Sequence, residues 1–148
     1  MDKKFMQKAI SLAKKAAANG DVPVGAVVVL NGKIIATGYN KREKNSLATA
    51  HAEVLAINAA CKKLNTWHLD DCELYVTLEP CPMCAGAIIN SRIKTVIFGA
   101  FDSKAGSCSN DSVVNLLSLP YNHTPEVYAG IMENDCATLL RDFFKDKR

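Results

Sequence analysis

Val24-Gly25-Ala26-Val27-Val28-Val29-Leu30-Asn31-Gly32-Lys33-Ile34-Ile35-Ala36-Thr37-Gly38-Tyr39 contains two apolar runs hinged on Asn-Gly. Asn-Gly between such runs is the strongest short-range hairpin signal, because both turn positions need positive φ. Val24–Leu30 and Lys33–Tyr39 therefore read as two antiparallel strands. Before them, Phe5, Ala9, Leu12, Ala13 and Ala16 fall at helical spacing opposite Lys4, Lys8, Ser11 and Lys15, and Asn19-Gly20 ends that helix. After them, Leu47–Leu64 reads as a second helix. A strand follows at Glu73–Leu78, a short helix from Pro82 to about Asn90, and a strand at Lys94–Gly99 apolar enough to be buried on both faces. Ser103–Asp111 reads as loop, Asp111–Leu119 holds a short helix before Pro120, and Glu126–Ala129 is a short fifth strand. Glu133–Lys145 is a terminal helix whose apolar side is Leu139, Leu140 and Phe143. Helices alternating with strands imply a sheet covered by helices, part antiparallel and part parallel.

The 148 residues suit one core, and no repeat, low-complexity tract or linker divides them, so residues 1–148 read as a single domain. An apolar content of 49% with 22% charge excludes a disordered or coiled-coil chain. No signal-peptide pattern follows the basic start and no apolar run is long enough to span a membrane, so a cytoplasmic location is expected. The net charge of +3 is uneven: residues 2–15 carry +4, residues 141–148 carry +2, and the remainder carries −3. Two basic ends fit a polyanionic partner, although solvated helix faces look the same by charge alone.

The chemistry lies in two short segments. Cys81 and Cys84 lie three apart at the start of a helix, with Pro82 in the first turn where a missing N–H is harmless. Their sulfurs share a face, and the helix N-terminus favours thiolates. One such pair is also a redox motif or half of a structural zinc site. Cys61, Cys72, Cys108 and Cys136 form no second close pair, whereas His51 also opens a helix after a strand. Two thiolates and one imidazole leave a fourth position for water, which is the layout of a catalytic zinc. Such an ion is formally neutral and raises the acidity of its water toward neutral pH. Glu53, two residues after His51, is then the proton carrier that deamination of an amidine-like ring requires. His51 and Glu53 share the metal only if His51 lies in an irregular first turn, because residues two apart on an ideal helix diverge. H-x-E followed 28 residues after Glu53 by P-C-x-x-C is the known signature of zinc nucleobase deaminases, so these roles follow an existing template.

Beyond the motif, the chain resembles the bacterial tRNA-specific adenosine deaminases of the cytidine/deoxycytidylate deaminase superfamily. The resemblance is carried by Val22–Val27, Ala50-His51-Ala52-Glu53 and the unbroken run Leu74–Ile88. It continues through Ser91-Arg92-Ile93, Phe98-Gly99-Ala100, Asp102, Lys104, Gly106, Asn122-His123 and Phe143-Phe144. The central run is shared in part with deaminases of free guanine or cytosine, which remain the alternative. The segments after Gly99 resemble the tRNA enzymes more specifically. An RNA-binding zinc module without catalysis would have no use for Glu53.

The resemblance implies an α/β fold of three layers, α/β/α, with a five-stranded mixed sheet, the cytidine deaminase-like fold. It implies one zinc ion (Zn2+) per subunit on His51, Cys81 and Cys84, Glu53 as catalytic proton shuttle, and adenosine-to-inosine conversion at the wobble position of a tRNA anticodon stem-loop. A homodimer is implied; a membrane partner or DNA as natural substrate is not. Asn40 falls where the family hydrogen-bonds the purine, and its amide offers both donor and acceptor. Asp102 falls near the ribose-phosphate backbone of the flipped-out nucleotide, where a carboxylate suits a 2′-hydroxyl; as a bare residue it is a loop cap. Of the adjacent Phe143 and Phe144, one packs and Phe144 is favoured to stack on an RNA base. His123, in the matching Asn-His pair, is a further RNA contact, and Lys104 and Arg92 are candidates for phosphate. Only four residues follow Phe144, fewer than the basic tails of many relatives, which bears on RNA affinity and not on the chemistry.

Overall fold

The computed structural model describes residues 1–147. Helix α1 (Lys3–Ala18) is capped by the Asp2 side chain, which accepts from the Lys4 amide. Strands β1 (Gly25–Leu30) and β2 (Lys33–Tyr39) form the expected hairpin, and Asn31 and Gly32 both have positive φ (52° and 76°). A short helix α2 (Arg42–Asn45) leads to α3 (Ala52–Leu64), β3 (Cys72–Leu78), α4 (Pro82–Ser91) and β4 (Thr95–Ala100). A 3-10 turn at Leu116–Ser118 precedes β5 (Glu126–Ala129) and α5 (Glu133–Asp146).

The sheet order is β2-β1-β3-β4-β5. β1 is antiparallel to both β2 and β3, while β3–β4 and β4–β5 are parallel. The five-stranded mixed sheet and the fifth strand are thus as the sequence implied, and β4 is buried along its whole length. Helices α1 and α5 cover one face, around Phe5, Met6, Leu12, Val27, Tyr75, Ile97 and Cys136. Helices α3 and α4 cover the other, around Val28, Leu74, Val76, Ile88, Val96 and Phe98. Every residue of a central strand therefore meets one helical layer or the other, and the uninterrupted apolar runs follow from that.

Three details differ from the sequence reading: one boundary, one additional helix and one buried face. The helix expected at Leu47–Leu64 begins only at Ala52. The backbone of His51 is extended (φ −78°, ψ 149°), and residues 47–50 form turns that periodicity alone absorbs into the helix. The short α2 lies in a polar stretch with no apolar stripe to announce it. In the last helix the most buried residue is Cys136, with Leu140 packed beside it, whereas Leu139 and Phe143 are only half-buried.

β2, β3 and β4 all point the same way, since β1 is antiparallel to β2 and β3, and β4 is parallel to β3. The segments leaving their C-terminal ends accordingly gather along one edge of the sheet, where ligands bind in open α/β sheets. Those segments carry Asn40, His51, Cys81 and Asp102. Gly38 helps set this edge: a Cβ there would run into the carbonyl oxygen of Ala52, so its absence lets the start of α3 rest directly on β2. All six cysteines are free, and Cys108 is buried.

Candidate active site

His51 is the N-cap of α3 and Cys81 the N-cap of α4, and Cys84 sits one turn into α4. His51 Nδ1 lies 3.6 Å from each of the two sulfurs. The three ligand atoms all fall within 4.8 Å of one another. Tetrahedral zinc with Zn–S of about 2.3 Å and Zn–N of about 2.0–2.1 Å requires N···S separations of roughly 3.6 Å. The donor set and its spacing therefore fit the ion. The extended backbone at His51 resolves the geometric conflict in H-x-E: the imidazole turns toward the cysteines from outside the helix, while Glu53 projects from its first turn.

Without a cation, the triad is a strongly coupled acid–base cluster. Cys81 is held down at about 4 by a hydrogen bond from Cys84, with His51 adding to the effect. Cys84 is pushed far up by that same shared bond and by burial. His51 is raised by its hydrogen bond to Cys81. Cys81 is thus a thiolate hydrogen-bonded by the Cys84 thiol and by His51, and a divalent cation would replace the shared protons. Glu53 is 3% exposed, and burial pushes its carboxyl from the ordinary 4.5 up to about 7, assisted by the Cys81 charge and opposed by His51. A carboxyl poised near neutrality beside a metal triad is suited to accept and release protons.

These residues lie in a cleft of about 1130 Å³ that Asn40, His51, Glu53, Cys81, Asp102 and Phe144 all line. Asn40 is 5% exposed, and its Oδ1 accepts from the Ala52 amide at 2.8 Å. Its carbonyl thus holds the first N–H of α3 and the amide group presents mainly its NH2 to the cleft, a narrower role than the donor-and-acceptor pairing expected. Asp102 does cap its loop: Oδ1 accepts from the amides of Lys104 (3.1 Å) and Ala105 (3.0 Å). Oδ2 has no protein hydrogen-bond partner among the described residues. Phe144 is 48% exposed on the cleft wall while Phe143 turns partly inward.

His123 stands apart. Its Nε2 bonds the Ile93 carbonyl at 2.7 Å, Arg92 Nη1 donates to Asn122 Oδ1 at 3.0 Å, and none of the three lines the cleft. The Asn-His pair anchors the 120s loop to the turn after α4. The basic ends also separate. Arg141, Lys145 and Lys147 join Arg42 and Lys104 at the cleft, whereas no lysine of α1 does. Among the described residues none of those five cations is within 4.0 Å of a carboxylate.

Three cleft residues escaped the sequence reading, Arg42 among them because it lies in a polar stretch with no distinguishing mark. Phe101 is 45% exposed with its ring edge-on to Phe98 at 5.2 Å; the signal was an aromatic immediately after a fully buried strand. Glu79 is buried at the end of β3; the signal was a charge closing an apolar run.

The chain matches the model of the MafB19-like deaminases over residues 1–148. It is 51% identical over 148 residues to a tRNA-specific adenosine deaminase of Bacillus subtilis, an alignment covering 99% of this chain and 91% of that protein. A solved structure from studies of A-to-I editing by tRNA:A34 deaminases at the wobble position superposes with a TM-score of 0.90 at 41% identity, covering 94% of this chain and 100% of the other. A guanine deaminase structure from Bacillus subtilis reaches a TM-score of 0.66 at 47% identity over 68% of this chain and 66% of its own.

Proposed function

The chain belongs to the family of the tRNA-specific adenosine deaminases, and we propose that it converts adenosine to inosine at the wobble position of a tRNA anticodon stem-loop. The observation that carries this reading is the buried carboxyl of Glu53 beside a zinc-competent triad in a cleft rimmed by Arg42, Lys104, Arg141, Lys145 and Lys147. Zinc bound by His51, Cys81 and Cys84 would supply an acidified water as nucleophile. Glu53 takes a proton from the attacking water and delivers it to the ring nitrogen next to the amine-bearing carbon. It then carries the second proton to the departing amine, which leaves as ammonia. The Asn40 NH2 donates to the purine edge, and Asp102 Oδ2 accepts from the ribose 2′-hydroxyl. Phe144 and Phe101 offer faces on which unpaired loop bases stack, as RNA loops are commonly read. Arg42, Lys104, Arg141, Lys145 and Lys147 neutralise phosphates along the rim. We further propose a homodimer with one zinc per subunit, acting in the cytoplasm.

The test is direct. The zinc-loaded protein should release ammonia and form inosine from a stem-loop with a wobble adenosine, and do far less with free adenosine, guanine or cytosine. Rapid turnover of guanine with no action on the stem-loop would replace this reading with that of a free-base deaminase. Among the described residues no helix is long and apolar enough to cross a membrane.

A further inference from the structure

Glu79 is 3% exposed and contributes nothing to the metal triad, yet its carboxyl lies against the cleft. Its Oε1 accepts from the Asp102 amide at 3.0 Å. Its Oε2 accepts from the Cys108 amide at 3.0 Å and from the Ser109 hydroxyl at 3.0 Å. The next residue continues the grip: the Pro80 carbonyl accepts from the Ser107 amide at 3.0 Å and from its hydroxyl at 3.0 Å. Gly106 lies so close that a Cβ there would strike the Glu79 carboxyl and the Asp102 carbonyl. One dipeptide, Glu79-Pro80, therefore fixes both ends of the 102–109 loop, and Cys81 follows it directly.

We propose that Glu79 is a positioning residue that sets Asp102 for the substrate and couples the metal-binding turn to the loop over the cleft. This rests on the reading of Asp102 as a substrate contact. Asp102 Oδ1 is already committed to its own loop, so the direction of Oδ2 is whatever the loop backbone dictates. That backbone is held at the Asp102 amide by Glu79. The three groups facing the Glu79 oxygens are all donors, and a carboxylate is acceptor-only. An amide in its place must point NH2 at an N–H or O–H, whichever way it is flipped.

The experiment is a double-mutant cycle on the zinc-loaded protein, with E79Q, D102A and the double variant assayed on the wobble-adenosine stem-loop, and amide hydrogen exchange followed in parallel. E79Q should raise KM roughly tenfold or more while kcat stays within about threefold. D102A should add less than about twofold in the E79Q background, although it costs much more in the unaltered protein. The amides of Asp102 and Cys108 should exchange faster in E79Q. Effects that multiply, or unchanged exchange at both amides, overturn the proposal. If E79Q does not fold, S109A and Gly106→Ala carry the same cycle, the first removing one of the three donors and the second wedging the loop off the carboxyl. If the unaltered protein does not act on the stem-loop, the functional reading fails by itself, and the exchange measurement still decides whether Glu79 holds the loop.

Discussion

Glu53→Gln should make the metal-free protein more stable and the enzyme almost inactive, and the structure gives the size of both effects. The fold holds the Glu53 carboxyl at about 7 against an ordinary 4.5, chiefly because burial disfavours its charge. At roughly 1.4 kcal/mol per pH unit, the gap corresponds to ~3 kcal/mol. The folded form binds the proton more tightly than the unfolded chain does. Stability from this group is therefore complete below pH 4.5 and lost as pH rises through 7. An amide does not titrate, so the variant's advantage opens over that window, with ~2 kcal/mol or more of it appearing between pH 5 and pH 8. For a chain of this size that corresponds to about 4–8 °C in Tm. Melting of chelator-treated wild type and variant at the two pH values reads the Glu53 contribution together with its charge interactions with His51, Cys81 and Cys84. A restored cation beside Glu53 favours its charged form, so zinc should shrink the gap. The same substitution should leave zinc content intact and reduce turnover by about 10²–10⁴-fold. A stability difference that does not change with pH would refute the burial argument, and turnover within tenfold of wild type would refute the proton-shuttle role.

RNA binding should weaken steeply with salt: if all five rim cations meet phosphates, the logarithmic slope approaches about −3.5, and Lys104→Ala should reduce its magnitude by about 0.7. A flat salt titration would return those side chains to ordinary solvation. Phe144→Ala and Phe101→Ala should each raise stem-loop KM by about tenfold or more at unchanged Tm, the cost of a lost stacking face. Phe143→Ala should instead lower Tm with a smaller effect on KM, and the opposite pattern would exchange the roles of the two adjacent rings. Gly38→Ala should lift the start of α3 from β2, lowering both Tm and zinc retention; retention of a full equivalent at wild-type Tm would mean that the contact with Ala52 relaxes freely.

The Asn31-Gly32 hairpin, the doubly buried β4 and the two N-cap segments were legible in the sequence because each is a local rule written in a few adjacent residues. The helix start at Ala52 was not, since Leu47 and Ala50 sustain an apolar periodicity that ends only because Asn40, twelve residues upstream of Ala52, takes the first helical N–H. That is a tertiary contact with no local mark. The same holds for the five rim cations. Arg42 and Lys104 lie far from the basic C-terminal stretch in sequence and join it only through the sheet order, while the α1 lysines, which dominate the charge count, stay away from the cleft. His123 shows the converse. A polar pair in a matching segment reads as an RNA contact until its bond to the Ile93 carbonyl gives it a structural partner.

The two buried glutamates of the site differ in what surrounds them, and that difference divides their work. Glu79 has three donors on two oxygens, which fixes the group in one orientation and makes loss of any partner costly. Glu53, equally buried, has its own backbone N–H, the nearby His51 and the Cys84 thiol to relieve its charge against the cost of burial, so its protonated and ionised forms stay close in free energy near neutral pH. A proton shuttle needs that balance, because taking up and giving back a proton is most effective when the carrier's pKa lies near the operating pH. The sequence places both acids next to metal-ligand positions, two residues from His51 and from Cys81 respectively, and spacing alone cannot separate them. Their hydrogen-bond partners do: satisfied donors fit the loop-holding role proposed for Glu79, and their scarcity fits the proton transfer proposed for Glu53.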